Sequence, residues 1–431
     1  MSSVPSVVTI FLPIVIISAM NQGTILSFED ARHLVEGHAA RLRPKGKELS
    51  ELLDSIGLVL AEPVVADRDF PPFPRATRDG YAIRAADVSA DSPASLTIIG
   101  EIKAGASSAD SAIHISPGQA VSIMTGAPVP PGADTVVMVE YTSQTGNTVQ
   151  ITRIAHLGEN IVPAGAEAKR GQRLLSPGMR LNYGAISAAA SVGKTHLLVY
   201  EKPRIAVLAT GDEIVDIAVP PGPSQIRNSN TYSLAAQIQA AGADPLLLPI
   251  APDRPDRLRE LILDGLEADL LLLSGGVSMG KYDLVEQVLS EMHAEFCFTG
   301  VRIQPGKPAV FGSIPSDEGN KYFFGLPGNP VSTMVIFELF ARPMIEALAG
   351  LQPKKLIFLH AKLNSDFKTK TGLKRFLPAR LSGEFDHAEV ELVPWQGSGD
   401  IAATARANCY VVIQPDREQI AAGEWVPILL R

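Results

Sequence analysis

Between Lys202 and Gly350 the chain alternates short apolar runs with helix-length amphipathic segments, and that alternation restricts the fold more than any other feature. RIAVLATGDE, from Arg204 to Glu213, is continuously apolar and ends in a polar loop, the pattern of a strand buried on both faces of a parallel sheet. A helix follows, with Ser229 or Asn230 as N-cap, TYSLAAQIQAA as its body and Gly242 as its stop. PLLLPI, a helix from Pro255 to Leu266, the strand LLLLSGG, the helix DLVEQVLSEM, strands around AVFG and YFFGL and a long helix after Pro330 repeat the alternation. Strands and helices in this order predict an open three-layer α/β domain that holds a ligand at the carboxyl ends of its strands.

The chain is longer than that one domain. Its 431 residues exceed the roughly 100 to 200 that one core usually organises. With 46% apolar and 19% charged residues, cores can form and global disorder is excluded. ELSELLDSIG reads as a helix with Leu49, Leu52, Leu53 and Ile56 on one face and Gly57 as its stop. From Leu58 to Asn147, runs such as SLTIIG and DTVVMVEY between Gly, Pro and Ser predict a β-rich section, and PAGAEAKRGQRLLSPG predicts short strands. Beyond Gly350, KLIFLHAKL, EVELVP and CYVVIQ predict a small all-β domain. The expected division is residues 26–57 with 150–198 as a discontinuous mixed domain, 58–149 as a β-rich insertion, 199–349 as the α/β domain and 350–431 as a C-terminal β-domain.

Residues 1–25 are expected to be an extension outside the fold. The run VVTIFLPIVII (Val7 to Ile17) is shorter than the roughly 20 residues that span a bilayer. It also lacks the basic flank and small-residue cleavage site of a secretory signal. Met20 precedes a plausible domain start, where Ser27 and Asp30 resemble a capping box and Leu34, Val35, Ala39 and Leu42 follow helical spacing. The 38 Lys and Arg against 46 Asp and Glu give a net charge of −8, so no general attraction to nucleic acid or a membrane surface is expected and a polyanion must be met by a local pocket. Cys297 and Cys409 form neither CxxC nor a zinc spacing, and read as buried thiols of a reducing, cytoplasmic compartment.

Three loops fall at expected strand ends: Thr210-Gly211-Asp212-Glu213, Ser274-Gly275-Gly276-Val277-Ser278-Met279-Gly280 and Pro327-Gly328-Asn329-Pro330. Their glycines let backbone N–H groups approach a phosphate, beside hydroxyls and carboxylates. SGG alone is more often a tight turn, but three such loops at one sheet end favour an anion pocket. Asp212, Glu213 and Asp283 are candidate Mg²⁺ ligands, since hard oxygens beside phosphate suit that ion; Asp283 equally fits a helix cap. Arg302 and Lys307 in VRIQPGKPAVFG supply positive charge, with Gly306 and Pro308 constraining the loop around Lys307, and Ser332 offers a hydroxyl near a helix start. GxGxxG and GxxxxGK[ST] are absent, which argues against a dinucleotide cofactor and an ordinary ATPase.

FPPFPRATRDGYAIRAAD (70–87), TGAPVPPGADTVVMVE (125–140), ATGDEI (209–214), SGGVSMGKYD (274–283), PGKP (305–308) and LPGNPVS (326–332) together resemble the MoeA family of molybdopterin molybdenumtransferases, related to the catalytic domain of gephyrin. The resemblance runs in order from about residue 26 to the end. It implies an elongated four-domain homodimer with shared active sites, which uses molybdate and adenylylated molybdopterin to make molybdenum cofactor and AMP with Mg²⁺. It also implies passing contacts with the adenylyltransferase and with recipient molybdoenzymes. Carried over, Asp79, Thr125, Glu213, Asp283 and Lys307 are catalytic. Thr210, Gly211, Asp212, Ser274, Gly275, Gly276, Ser278, Arg302, Pro305, Gly306, Pro327, Gly328, Asn329, Ser332 and Ser398 bind substrate, and Asp212, Glu213 and Asp283 hold the metal.

The chain departs from the family pattern at Arg78, at Gln304, where Lys is common, and in WQGSGDIAATARAN; in GLKRFLPARL, Lys374, Arg375 and Arg380 compete for the molybdate role. A molybdopterin adenylyltransferase, a competence-damage-type nucleotide pyrophosphatase and a gephyrin-like scaffold are the alternatives.

Overall fold

Leu270–Ser274 is buried along its whole length because the sheet around it is covered on both faces. In the computed structural model, which describes residues 24–88, 94–105, 113–276, 284–316, 319–352 and 354–431, this strand lies inside a six-stranded sheet. The order is Asp244–Leu247, Arg204–Ala209, Leu270–Ser274, Lys321–Leu326, Val310–Ile314, Glu295–Phe298. The first four strands are parallel, whereas Val310–Ile314 is antiparallel to both of its neighbours, Lys321–Leu326 and Glu295–Phe298. The sheet is therefore mixed rather than purely parallel, since Val310–Ile314 and Lys321–Leu326 are joined too closely for a crossover helix.

Side-chain alternation divides the layers. Ile205, Val207, Leu270 and Leu272 pack with Leu234 and Ile238 of the helix Ser229–Ala241, with Phe28, Ala31 and Val35 of Phe28–Ala39, and with Met344 and Ile345 of Arg342–Leu348. Ala206, Leu208, Leu271 and Leu273 face Leu258, Leu261 and Ile262 of Pro255–Leu266 and Val285, Val288 and Leu289 of Leu284–Glu291. Each fully buried leucine contributes roughly 1.5–3 kcal/mol.

Phe28–Ala39 starts where the sequence places it, with Ser27 Oγ accepting from the Asp30 N–H at 3.1 Å. Ser229–Ala241 is capped instead by Asn228, whose side chain accepts from the Thr231 N–H. The long helix after Pro330 contains a π turn, Phe337–Ala341, between Pro330–Ile336 and Arg342–Leu348. Buried Arg32 donates to the Leu339 carbonyl inside that turn.

The chain forms two compact units: the described residues up to Glu48 with Gly57–Val59 and Tyr200–Arg431, and the described residues of Leu49–Ile56 with Leu60–Val199. In the first unit the C-terminal strands Lys374–Ser382, Glu389–Leu392, Leu359–Leu363, Trp425–Leu430 and Cys409–Ile413 follow one another, and the last also pairs with the first. They close a five-stranded barrel, which leaves no edge within that ring. Ile303–Gln304 adds in parallel outside it, Gln304 beside Arg375. The short helix Ile401–Arg406 corrects the expectation of an all-β C-terminal region.

The second unit holds a six-stranded sheet ordered Thr135–Met138, Gly80–Ile83, Gln119–Ile123, Ala94–Ile102, Thr148–Ile151, Thr142–Thr145. The helix expected over residues 48–57 is absent. Lys47–Glu51 is a strand, the chain then turns with the Ser55 N–H on the Glu51 carbonyl, and Leu49, Leu53 and Ile56 are exposed. Their helical spacing had no core to bury, and the Leu52 N–H is taken by the Thr195 carbonyl. A helix that the sequence reading lacked spans Tyr183–Ser191, capped by Asn182.

Among the described residues no helix is long and apolar enough to cross a membrane. Both cysteines are free, Cys409 buried and Cys297 only half-buried. Cys297 Sγ lies 3.9 Å from His38 Nε2, and His38 Nδ1 is 3.1 Å from the Tyr322 hydroxyl. Burial, reinforced by Glu295, pushes the Cys297 thiol up to about 11. Burial pushes Cys409 to about 11 as well.

Candidate functional site

Register brings the three glycine loops to one level. Ala209 is opposite Ser274, and Ser274 is opposite Leu326, so the segments that follow leave the sheet side by side. They line a cleft of about 820 Å³, whose wall includes Thr210, Gly211, Glu213, Ser274, Gly275, Gly276, Pro327, Gly328, Asn329 and Pro330. The loops are bonded to one another: the Thr210 N–H donates to the Ser274 carbonyl at 3.1 Å and the Gly275 N–H to the Leu326 carbonyl at 3.1 Å. Gly275 has φ +96°, and a Cβ there would lie 2.6 Å from the Thr210 carbonyl oxygen, so the close approach of these strand ends requires glycine.

Sequence reasoning missed five polar residues of this wall, Arg227, Asn228, Ser229, Asn230 and Asp253, of which Asp253 and Asn230 bond to its loops. Asp253 follows the bridge between Thr210 and Ala251; its N–H donates to Asp212 Oδ1 at 3.1 Å, and Thr210 Oγ1 reaches its carboxylate at 3.4 Å. Its position just past the strand PLLLPI was the available signal. Asn230 lies in the first turn of Ser229–Ala241. Arg227 is the cation on the wall among the described residues, set against Glu213 and Asp253, and Ile214, Ile226 and Ile401 form an apolar rim.

Ser278 and Asp283 lie outside the described residues. Asp212 does not line the cleft but holds the backbone of Asp253, which does. Of the PGKP loop, Pro308 lines it. Pro305 and Gly306 are buried beside it in sequence, and Lys307 and Arg302 are exposed and off that wall. Ser332 is buried within its helix and outside the lining. The Ser398 carbonyl accepts from the Val331 N–H at 3.0 Å, which brings its neighbour Gly399 to the cleft.

In the second unit the structure joins Asp79 and Thr125. Asp79 precedes Gly80–Ile83 and Thr125 follows Gln119–Ile123, strands that pair with Gly80 opposite Ile123. Asp79 Oδ1 accepts from the Thr125 N–H at 2.7 Å and from Thr125 Oγ1 at 2.8 Å. These bonds, the backbone one foremost, hold the carboxyl below the ordinary aspartate range. Gly80 admits no side chain, because a Cβ would lie 1.9 Å from the Val137 carbonyl oxygen.

The three competing basic residues of the C-terminal barrel separate clearly. Lys374 is paired with Glu29 and lies over the Phe28 ring. Arg380 is exposed and faces Glu391 in register. Arg375 is 7% exposed and donates Nη1 to the Leu373 carbonyl. It has no carboxylate partner among the described residues, and burial draws its pKa below the usual guanidinium value. It opens on a second cavity of about 470 Å³ with Gln304, Lys368, Lys370 and Trp395, whose lining carries three cations and no carboxylate. A buried, uncompensated guanidinium among lysines is an arrangement that an oxyanion neutralises.

A cleft at the carboxyl ends of parallel strands, in the same unit as a basic cavity and a closed β-barrel, defines the class: a multidomain α/β protein of the open-sheet type. Family models match residues 26–193 as the MoeA N-terminal region (domain I and II), 206–347 as a probable molybdopterin binding domain and 360–430 as the MoeA C-terminal region (domain IV). The chain is 36% identical over 393 residues to a protein of Nostoc sp. named molybdopterin molybdenumtransferase, covering 89% of this chain and 88% of that one. It is 32% identical to the Bacillus subtilis protein of the same name, covering 88% of each. Two crystal structures of Pyrococcus horikoshii molybdopterin biosynthesis MoeA protein superpose with TM-scores of 0.69 and 0.75, at 31% and 26% identity, over 94% and 95% of this chain and 99% and 100% of theirs. The chain belongs to the MoeA family.

Proposed function

We propose that this chain is a cytoplasmic molybdopterin molybdenumtransferase, which takes molybdate and adenylylated molybdopterin and yields molybdenum cofactor and AMP. The observation that carries the reading is the cleft in which the Thr210, Ser274 and Pro327 loops meet at one sheet end. Its glycine backbone suits the phosphoanhydride, and its apolar rim of Ile214, Ile226 and Ile401 suits a flat heterocycle. The N–H groups of Gly276 and Gly328 would orient phosphate oxygens, and positioning with electrostatic stabilisation is most of what phosphoryl chemistry needs from a protein. Arg375, Lys368 and Lys370 hold molybdate in the second cavity, and Lys307, in the loop that follows Gln304, supplies a further donor.

Mg²⁺ fits the cleft as an ion completed by substrate. Glu213 and Asp253 lie on the wall, and no group of three or more His, Cys, Asp or Glu converges on a metal position among the described residues. One or two carboxylates plus phosphate oxygens is the usual magnesium arrangement. The ion would neutralise charge on the cleaved anhydride, and Asp212 would keep Asp253 in place through its N–H.

Asp79 and Thr125 act from the second unit. The protein works as a homodimer in which one copy's Asp79 and Thr125 complete the other copy's site. Passing contacts with an adenylyltransferase and with molybdoenzymes deliver substrate and product.

The test is AMP release from adenylylated molybdopterin with and without molybdate. Molybdate-dependent release is expected. Synthesis of adenylylated molybdopterin from ATP with pyrophosphate release, and no AMP release, would assign the chain to adenylyl transfer instead.

A further inference from the structure

Asn230 is 8% exposed and stands on the cleft wall. Its Nδ2 donates to Ser274 Oγ at 3.0 Å and to the Gly328 carbonyl at 2.8 Å, and reaches Thr333 Oγ1 at 3.5 Å. A carbonyl oxygen only accepts, so the amide must turn its nitrogen toward Gly328. Its other end is thereby left over: Oδ1 is buried and has no hydrogen-bond partner among the described residues. Buried polar atoms are nearly always satisfied, and an exception in a ligand cleft points to a group supplied from outside.

We propose that Asn230 is the positioning residue of the cleft. Its Nδ2 ties the Ser274–Gly276 loop to the Pro327–Pro330 loop, so that their backbone N–H groups form one anion-binding surface. Its Oδ1 accepts a hydrogen bond from an N–H or O–H of the ligand's heterocycle or sugar. The ionised phosphoanhydride of an adenylylated ligand carries no donor, so this contact reads the organic part of the ligand while the loops read the anion. The inference rests on the functional reading above for the identity of that ligand.

The experiment compares two probes by calorimetry on the full chain: inorganic pyrophosphate, an anion without an organic donor, and AMP, which has donors on base and ribose. In Asn230→Ala, pyrophosphate should bind about tenfold more weakly because the tie is lost, and AMP about a hundredfold more weakly because the acceptor is lost as well. Ser274→Ala, which loosens the tie and leaves Oδ1 in place, should weaken both probes equally. In turnover, Asn230→Ala should raise KM for adenylylated molybdopterin more than it lowers kcat, which a general loss of folded protein would not do.

Affinities within twofold of wild type for both probes would overturn the proposal, and equal losses for both in Asn230→Ala would overturn the role of Oδ1. Should that variant fail to fold, Asn230→Asp keeps the size and an acceptor while replacing the donor aimed at Gly328. It should lose pyrophosphate affinity and keep the AMP preference, and wild-type affinity for pyrophosphate in it would overturn the tie. A wild-type chain that binds AMP without molybdate-dependent turnover would overturn the functional reading and leave this inference standing, whereas one that binds neither probe would overturn both.

Discussion

Asp79 takes two hydrogen bonds from a single residue, 46 positions away in sequence, and the backbone bond is the stronger influence on its carboxyl. Thr125→Ala should therefore raise the Asp79 pKa only part of the way to its ordinary value, which an NMR titration of the carboxyl measures; no rise would mean that the hydroxyl contributes nothing. A carboxyl whose folded pKa is depressed adds stability above its unfolded value, and that contribution is lost as pH falls through the folded one. The Asp79–Thr125 link thus persists at neutral pH and loosens only below the ordinary carboxylate range. A second residue-scale prediction separates the barrel's basic side chains. Arg375→Ala should weaken molybdate binding at least about tenfold, while Lys374→Ala and Arg380→Ala leave it within about twofold. Lys374→Ala should instead lower the melting temperature, because it removes the partner of Glu29 and the cation over Phe28. Equal effects of all three on molybdate would dissolve the distinction.

At the scale of elements, the Leu270–Ser274 strand and the loop after it are governed by Gly275. Gly275→Ala would push against the Thr210 carbonyl and require a left-handed φ of an alanine, so the strand ends must separate. Binding of AMP should fall about tenfold or more while far-ultraviolet circular dichroism is retained; an unchanged Kd would show that the loops need no such closeness.

The same elements show what the sequence carried. Pro255–Leu266 was legible to the residue because proline at its first turn fixes the start and Leu258, Leu261 and Ile262 recur at helical spacing. The three cleft loops were legible because each follows an apolar run long enough to be a buried strand. Residues 48–57 misled, since leucines at helical spacing look alike whether they meet a core or solvent. Tyr183–Ser191 escaped notice because its alanine-rich sequence has almost no apolar face to detect. Asp253 and Asn230 act through contacts with residues 41 and 98 positions distant, which no local motif records.

For the whole molecule, the proposed sharing of sites between copies has a consequence that mixing exposes. Asp79→Ala and Glu213→Ala homodimers should both be inactive, yet a mixed dimer concentrates both lesions in one site and leaves the other complete. Co-refolding should restore up to about half the activity per heterodimer; confirmed heterodimers with none would place each site within one chain. Sulfur is the final molecule-wide matter. The chain has two cysteines, and burial pushes both thiols up to about 11, so both stay protonated at neutral pH. The ionised form is the one that ligates metals and attacks disulfides. A polypeptide proposed to load molybdenum onto a pterin's paired sulfurs therefore presents almost no competing thiolate of its own: it is a spectator in the very chemistry it assists, neither a rival destination for the metal nor a snare for the finished cofactor.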